Sequence, residues 1–216
     1  MAGPAASTWI AQTDREINFI IWGTFNACEQ LVNLIFQKVQ RFSAIDASLM
    51  FLPTPISAII YDVIIGLILH RVSATLMVAS TNILSSFTLV MLALLNPTRP
   101  YWAAIFPALL FSSVASDASF CVANTMFEEQ FPGEMKALAS GVFNTTAHLG
   151  KAIILAMTTL ISSISTRNSS MENKDSPEAL MYGYKTCFWF LSSLNLVSLL
   201  INLLGLQGSG NQESLR

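Results

Sequence analysis

Hydrophobic residues in this chain gather into six long blocks, over about 17–37, 48–69, 74–95, 101–125, 139–164 and 181–204, with short polar breaks between them. A helix needs about 20 mostly apolar residues to cross the hydrocarbon core of a bilayer, and every block is close to that length. The pattern predicts an all-α integral membrane protein of six transmembrane helices. Residues 1–16 and 205–216 read as polar tails, and an even number of spans puts both tails on one side of the membrane.

The polar interruptions are not scattered evenly. In the first block Asn26, Glu29, Gln30, Asn33 and Gln37 fall within an arc of about 100° on a helix turning 100° per residue. In the fourth, Ser113, Asp117 and Asn124 lie within about 40° of one another. In the fifth, Gly141, Asn144, His148 and Lys151 recur at helical spacing along one face. Three of the six helices thus carry a polar stripe, which predicts a polar cavity between them. The second block holds Pro53 and Pro55, so a bent or late-starting helix is expected. Its Asp62 reads as a structural partner near the membrane surface. The third block has no ionisable residue and reads as a peripheral helix facing lipid.

Composition agrees with lipid as the solvent: 53% of the 216 residues are hydrophobic and 11% charged, where a soluble domain carries about 25% charged residues. A net charge of −2 with dispersed Lys and Arg gives no electrostatic case for nucleic acid. Cys28, Cys121 and Cys187 each sit in a different block and read as small packing residues. No nucleophile elbow, phosphate loop, metal-ligand spacing or paired acid–base motif occurs, so neither an enzyme nor a cofactor or metal site is expected. Placing both termini in the cytoplasm leaves four basic residues inside and five outside, so the positive-inside rule does not orient the chain. The glycosylation acceptor Asn168-Ser169-Ser170 lies in the 165–180 loop, which is extracytoplasmic only if both termini are cytoplasmic.

Ionisable groups inside a span are rare and costly. Asp117 reads either as a proton or substrate-cation site or as a structural hydrogen-bond partner of a neighbouring helix. Glu29 lies in the first helix as Asp117 lies in the fourth, places that an inverted repeat of two helix triplets would make equivalent. His148 is either a proton relay or an interhelical donor. Lys151 would cost at least about 2.5 kcal/mol at the helix centre if isolated, and Asp117 is its natural partner.

Several stretches carry a family resemblance. Gly66-Leu67-Ile68-Leu69-His70-Arg71 resembles the loop signature between the second and third helices of each half of the major facilitator superfamily, with Gly66 and Arg71 matching. The phrases FLPTPISAII (51–60), NPTRPYWAAIFPA (96–108) and ALASGVFNTTAHLG (137–150) resemble the carboxy-terminal half of fungal drug:proton antiporters of the aminotriazole-resistance type. The resemblance implies half of a major-facilitator fold, a 3+3 inverted repeat, with a missing N-terminal six-helix half as partner. It further implies proton-coupled efflux of a small organic compound, a multidrug-resistance role, and residence in the plasma or vacuolar membrane. Glu29, Asp117, Asn124, Asn144, His148 and Lys151 are then the cavity residues. The rival reading is a truncated, non-transporting membrane protein that at most associates with other subunits.

Overall fold

The computed structural model describes the backbone of residues 4–68, 74–95, 101–102, 105–112, 116, 120, 131 and 133–213, and side chains within 19–64, 67, 80–95, 101–102, 105–112, 116, 120, 131, 133 and 135–201. Seven helical segments are labelled here: α1 Pro4–Leu34, α2 Ala44–Phe51, α3 Pro53–Ile68, α4 Ala74–Ala93, α5 over 105–112, α6 Lys136–Arg167 and α7 Pro177–Glu213. Among the described residues four stretches are long and apolar enough to cross a membrane: Phe19–Val39, Ala44–Ile64, Lys136–Arg167 and Pro177–Ile201.

Helix ends differ from the hydropathy boundaries in a consistent way. α1 begins at Pro4, well before residue 17, and α7 continues to Glu213, past residue 204. Backbone helicity continues into polar sequence, where hydropathy has no signal. α1 ends in a π-helical turn, Ile35–Val39, closed by bonds from the Gln40 N–H to the Ile35 carbonyl and from the Phe42 N–H to the Phe36 carbonyl, both 2.9 Å. Arg41 takes the left-handed conformation there (φ 58) and reverses the chain. Ser43 then caps α2, its hydroxyl accepting from the Asp46 N–H at 3.2 Å and donating to the Asp46 carboxylate at 2.7 Å.

The second block is bent, as its prolines predict. α2 and α3 meet at Leu52, whose N–H reaches the Leu49 carbonyl at 3.2 Å because Pro53 has no N–H to offer it. Ala47, Thr54 and Ser57 turn inward, while Ile45, Leu49, Ile56, Ile59, Val63 and Leu67 are exposed. Small and hydroxyl side chains inside with large apolar ones outside is the arrangement lipid favours.

α1 packs chiefly on α6, α4 on α7, and α7 also on α1 and α6. The apolar core joins Val32, Ile35 and Phe36 of α1, Leu89 and Leu92 of α4, Ile105 and Leu109 of α5, and Phe188 and Leu191 of α7. An aromatic cluster ties Tyr101, just before α5, to the end of α1 and to α2: Phe36 meets Phe51 edge-on at 5.6 Å and Tyr101 at 6.0 Å, and the Tyr101 hydroxyl donates to the Met50 carbonyl at 2.7 Å.

The third block has two faces. Ile83 and Phe87 of α4 are exposed, as expected for a helix facing lipid, and the opposite face is a polar seam packed against α7. Asn195 donates through Nδ2 to the Ser85 hydroxyl at 2.9 Å, and Asn82, Ser86 and Ser198 are buried. Polar side chains between helices act as glue where the alternative is hydrocarbon.

Candidate functional site

On α6 three faces can be separated. Ala139, Phe143, Ala147, Gly150, Ile154 and Thr158 are buried at spacings of three or four residues, which makes them the packed edge. Leu138, Val142, Leu149, Ile153 and Leu160 are exposed on one side of it. On its other side run Asn144 and Lys151, half-buried, and His148, exposed. The outward continuation of that stripe, at the same spacing, is Leu155, Thr159, Ser162 and Thr166. A helix with an apolar exposed face on one flank and a polar stripe on the other meets two solvents, lipid and water.

Several groups on these stripes satisfy their hydrogen bonds within their own helix. Asn144 donates through Nδ2 to the Ser140 carbonyl at 2.9 Å, and the Thr145 hydroxyl donates to the Gly141 carbonyl at 2.8 Å. On α1 Asn26 donates to the Trp22 carbonyl at 2.8 Å, and Gln37 to the Asn33 amide oxygen at 2.9 Å. Such local bonds make these polar side chains tolerable at the edge of a bilayer or cavity, since each donor named is paired within its own helix. Glu29 is half-buried and Gln30 exposed on the same α1 stripe.

Two features bring the striped helices together. Gly23 of α1 and Gly150 of α6 meet almost backbone to backbone: a Cβ placed on Gly23 would lie 2.7 Å from the Gly150 carbonyl oxygen, and one on Gly150 would collide with the Phe19 carbonyl oxygen. Beside this contact Trp22 stacks against Phe120 at 4.6 Å, and Phe120 against Phe143 at 5.4 Å. The fourth block is thereby joined to α1 and α6. Further along, Gln30 of the α1 stripe and Leu155, Thr159 and Ser162 of the α6 stripe line one cavity.

The structure therefore brings Gln30 to the outward run of the stripe that holds Asn144, His148 and Lys151. Asp117 and Asn124 lie outside the described residues, and with them the expected Lys151–Asp117 pairing. Of the loop motif, Gly66 falls within α3 and Arg71 lies outside the described residues. Asn168, at the carboxy-terminal cap of α6, is exposed. The α4–α7 seam was missed by sequence reasoning, although Asn82, Ser85 and Ser86, and Asn195 and Ser198, stand at the three- and four-residue offsets of one helix face.

Residues 16–155, more than half of the chain, match the profile of the Major Facilitator Superfamily. The chain belongs to the major facilitator superfamily. It is similar to the MFS-type transporter 1 of Pyricularia oryzae, with 26% identity over an alignment covering 89% of this chain and 34% of that protein. This major-facilitator chain thus spans about a third of the length of that curated relative. It is a multi-pass membrane protein of a transporter superfamily, not an enzyme, and its regular structure among the described residues is helical.

Proposed function

We propose that this chain is the carboxy-terminal six-helix half of a proton-coupled major-facilitator exporter, which moves a small organic compound by alternating access. The reading takes the chain as similar to antiporters of the aminotriazole-resistance type, in a plasma or vacuolar membrane with both termini cytoplasmic. The observation that carries it is the meeting of α1, the Phe120 helix and α6 at Trp22, Phe120 and Phe143, with Gln30 and the outward α6 stripe around a common cavity. In such transporters the substrate is held near the midplane between two six-helix halves that rock against each other. Glu29, Asp117, Asn124, Asn144, His148 and Lys151 are then the cavity wall of one half, with Asp117 carrying the coupled proton and Lys151 its counter-charge.

A wall needs something opposite it. Residues 1–216 reconstituted alone in liposomes are expected to show no saturable, gradient-driven uptake, and co-reconstitution with an amino-terminal six-helix half should restore it. A monodisperse monomer with saturable transport would show that the chain is not half of a cavity. Failure of transport with the half supplied, despite a stable complex, would favour a protein that associates with other subunits and does not transport.

Orientation has its own test. α6 has 32 residues, or about 48 Å at 1.5 Å per residue, against about 30 Å of hydrocarbon, so its end at Asn168 can stand clear of the bilayer. In a eukaryotic host Asn168 should carry glycan, seen as a mobility shift on glycosidase treatment that Asn168→Gln removes. Labelling of a tag after Arg216 from outside intact cells would reverse the orientation.

A further inference from the structure

Between α1, α6 and the start of α7, under the connection that follows α6, lies a cavity of about 340 Å³. That is the size of a small drug-sized site. Ala27, Leu31, Leu155 and Leu180 give it an apolar floor. Its threonines offer lone pairs, and its charged rim holds the donors. The Thr158 and Thr159 hydroxyls spend their protons inside α6, on the Ile154 and Leu155 carbonyls at 2.7 and 2.8 Å. Thr166 also lines the cavity, is 8% exposed, and its hydroxyl has no partner among the described residues.

The charged lining residues are Arg167, Lys174 and Asp175, two cations to one carboxylate. Lys174 Nζ donates to the Ser169 carbonyl at 2.6 Å, which holds the connection down over the cavity. Arg167 is exposed at the end of α6 and presents the planar fork that pairs a carboxylate through two parallel bonds. We propose, resting on the reading above, that this cavity at the outward end of the α6 stripe takes a small organic carboxylate carried on an apolar body. Arg167 receives the carboxylate, the leucines hold the body, and Asp175 weakens the affinity by facing the same charge.

Binding is read directly on the chain, so the result does not depend on whether the chain transports. The full chain in phosphatidylcholine nanodiscs is titrated with 2-naphthoate, with 2-naphthamide and 2-naphthylmethylamine as neutral and cationic probes of the same body, and empty discs correct for partitioning. Saturable binding in the order carboxylate, amide, amine is expected. Arg167→Gln should weaken naphthoate about tenfold, as loss of a charge-assisted pair does, whereas Asp175→Asn should tighten it. Opposite shifts separate a ligand site from general damage, which would weaken both. Ser163, exposed on the same wall, gives a second reading: naphthoate should slow maleimide labelling of Ser163→Cys. Equal binding of the three probes, a common direction for the two charge variants, no saturable signal above empty discs, or no protection at Ser163→Cys would each overturn the site.

Discussion

Gly150→Val should unfold the α1–α6 pair. Even the first added carbon would run into the Phe19 carbonyl oxygen of α1, which is backbone and cannot rotate away, and two γ-carbons follow it. On the facing helix, a Cβ at Gly23 would meet Ile154 Cδ1 at 2.6 Å and the Gly150 carbonyl carbon at 2.9 Å, so the clash has no slack on either side. In a bilayer, helices associate through close van der Waals packing at small residues, because lipid is as apolar as leucine. Forcing the backbones apart therefore removes the contact itself. Overpacking of this kind costs about 3 kcal/mol, enough to collapse the folded yield and lower the thermal midpoint of what survives. Gly141 is the control on the same helix: nothing lies within 4 Å of a Cβ there, and Gly141→Ala should be neutral or gain up to about 1 kcal/mol from helix propensity. Similar losses at Gly141 and Gly150 would show that the α1–α6 contact is looser than described.

Asp117→Asn in the complete transporter should abolish proton-driven accumulation while substrate binding or exchange survives at least in part. The amide keeps the shape and hydrogen-bonding reach of the carboxylate and loses only its ability to take up and release a proton. A carboxylate inside a span is expensive enough that one without a role would not be expected there. Transport measured against external pH in the wild type and variant decides between the two readings of this residue. A variant with normal accumulation and unchanged pH dependence would make Asp117 a structural hydrogen-bond partner.

Four long apolar helices among the described residues were legible because lipid selects for long apolar runs; Phe19–Val39 and Lys136–Arg167 overlap the first and fifth blocks. Their ends were not. Asp14, Arg15 and Glu16 suggest a solvated tail, yet α1 runs through them from Pro4, since a helix in water needs no hydropathy. Pro53 announced the bend between α2 and α3 because a missing N–H is a local property. The α4–α7 seam escaped notice for the opposite reason: Asn82 and Asn195 are uncharged, and only the packing of two distant helices makes them a buried pair of faces. Likewise the stripe of Asn144, His148 and Lys151 could be read from spacing alone. Its extension through Thr159 and Ser162 into a cavity could not, because that cavity is completed by Tyr184 of α7 and by Lys174 and Asp175 of the connection.

A cysteine scan of α6 tests most directly whether the polar stripe faces water. In a background where Cys28, Cys121 and Cys187 are replaced, single cysteines at Asn144, His148, Lys151, Leu155 and Thr159 are exposed to a membrane-impermeant thiol reagent in the reconstituted transporter. Cysteines at Val142, Leu149, Ile153 and Leu160 serve as the comparison, since those side chains are exposed on the apolar flank. The cavity account predicts labelling that rises and falls with the helical repeat, strong along the stripe and absent on the flank. Labelling of the flank with an inert stripe, or uniform labelling of both, would contradict it.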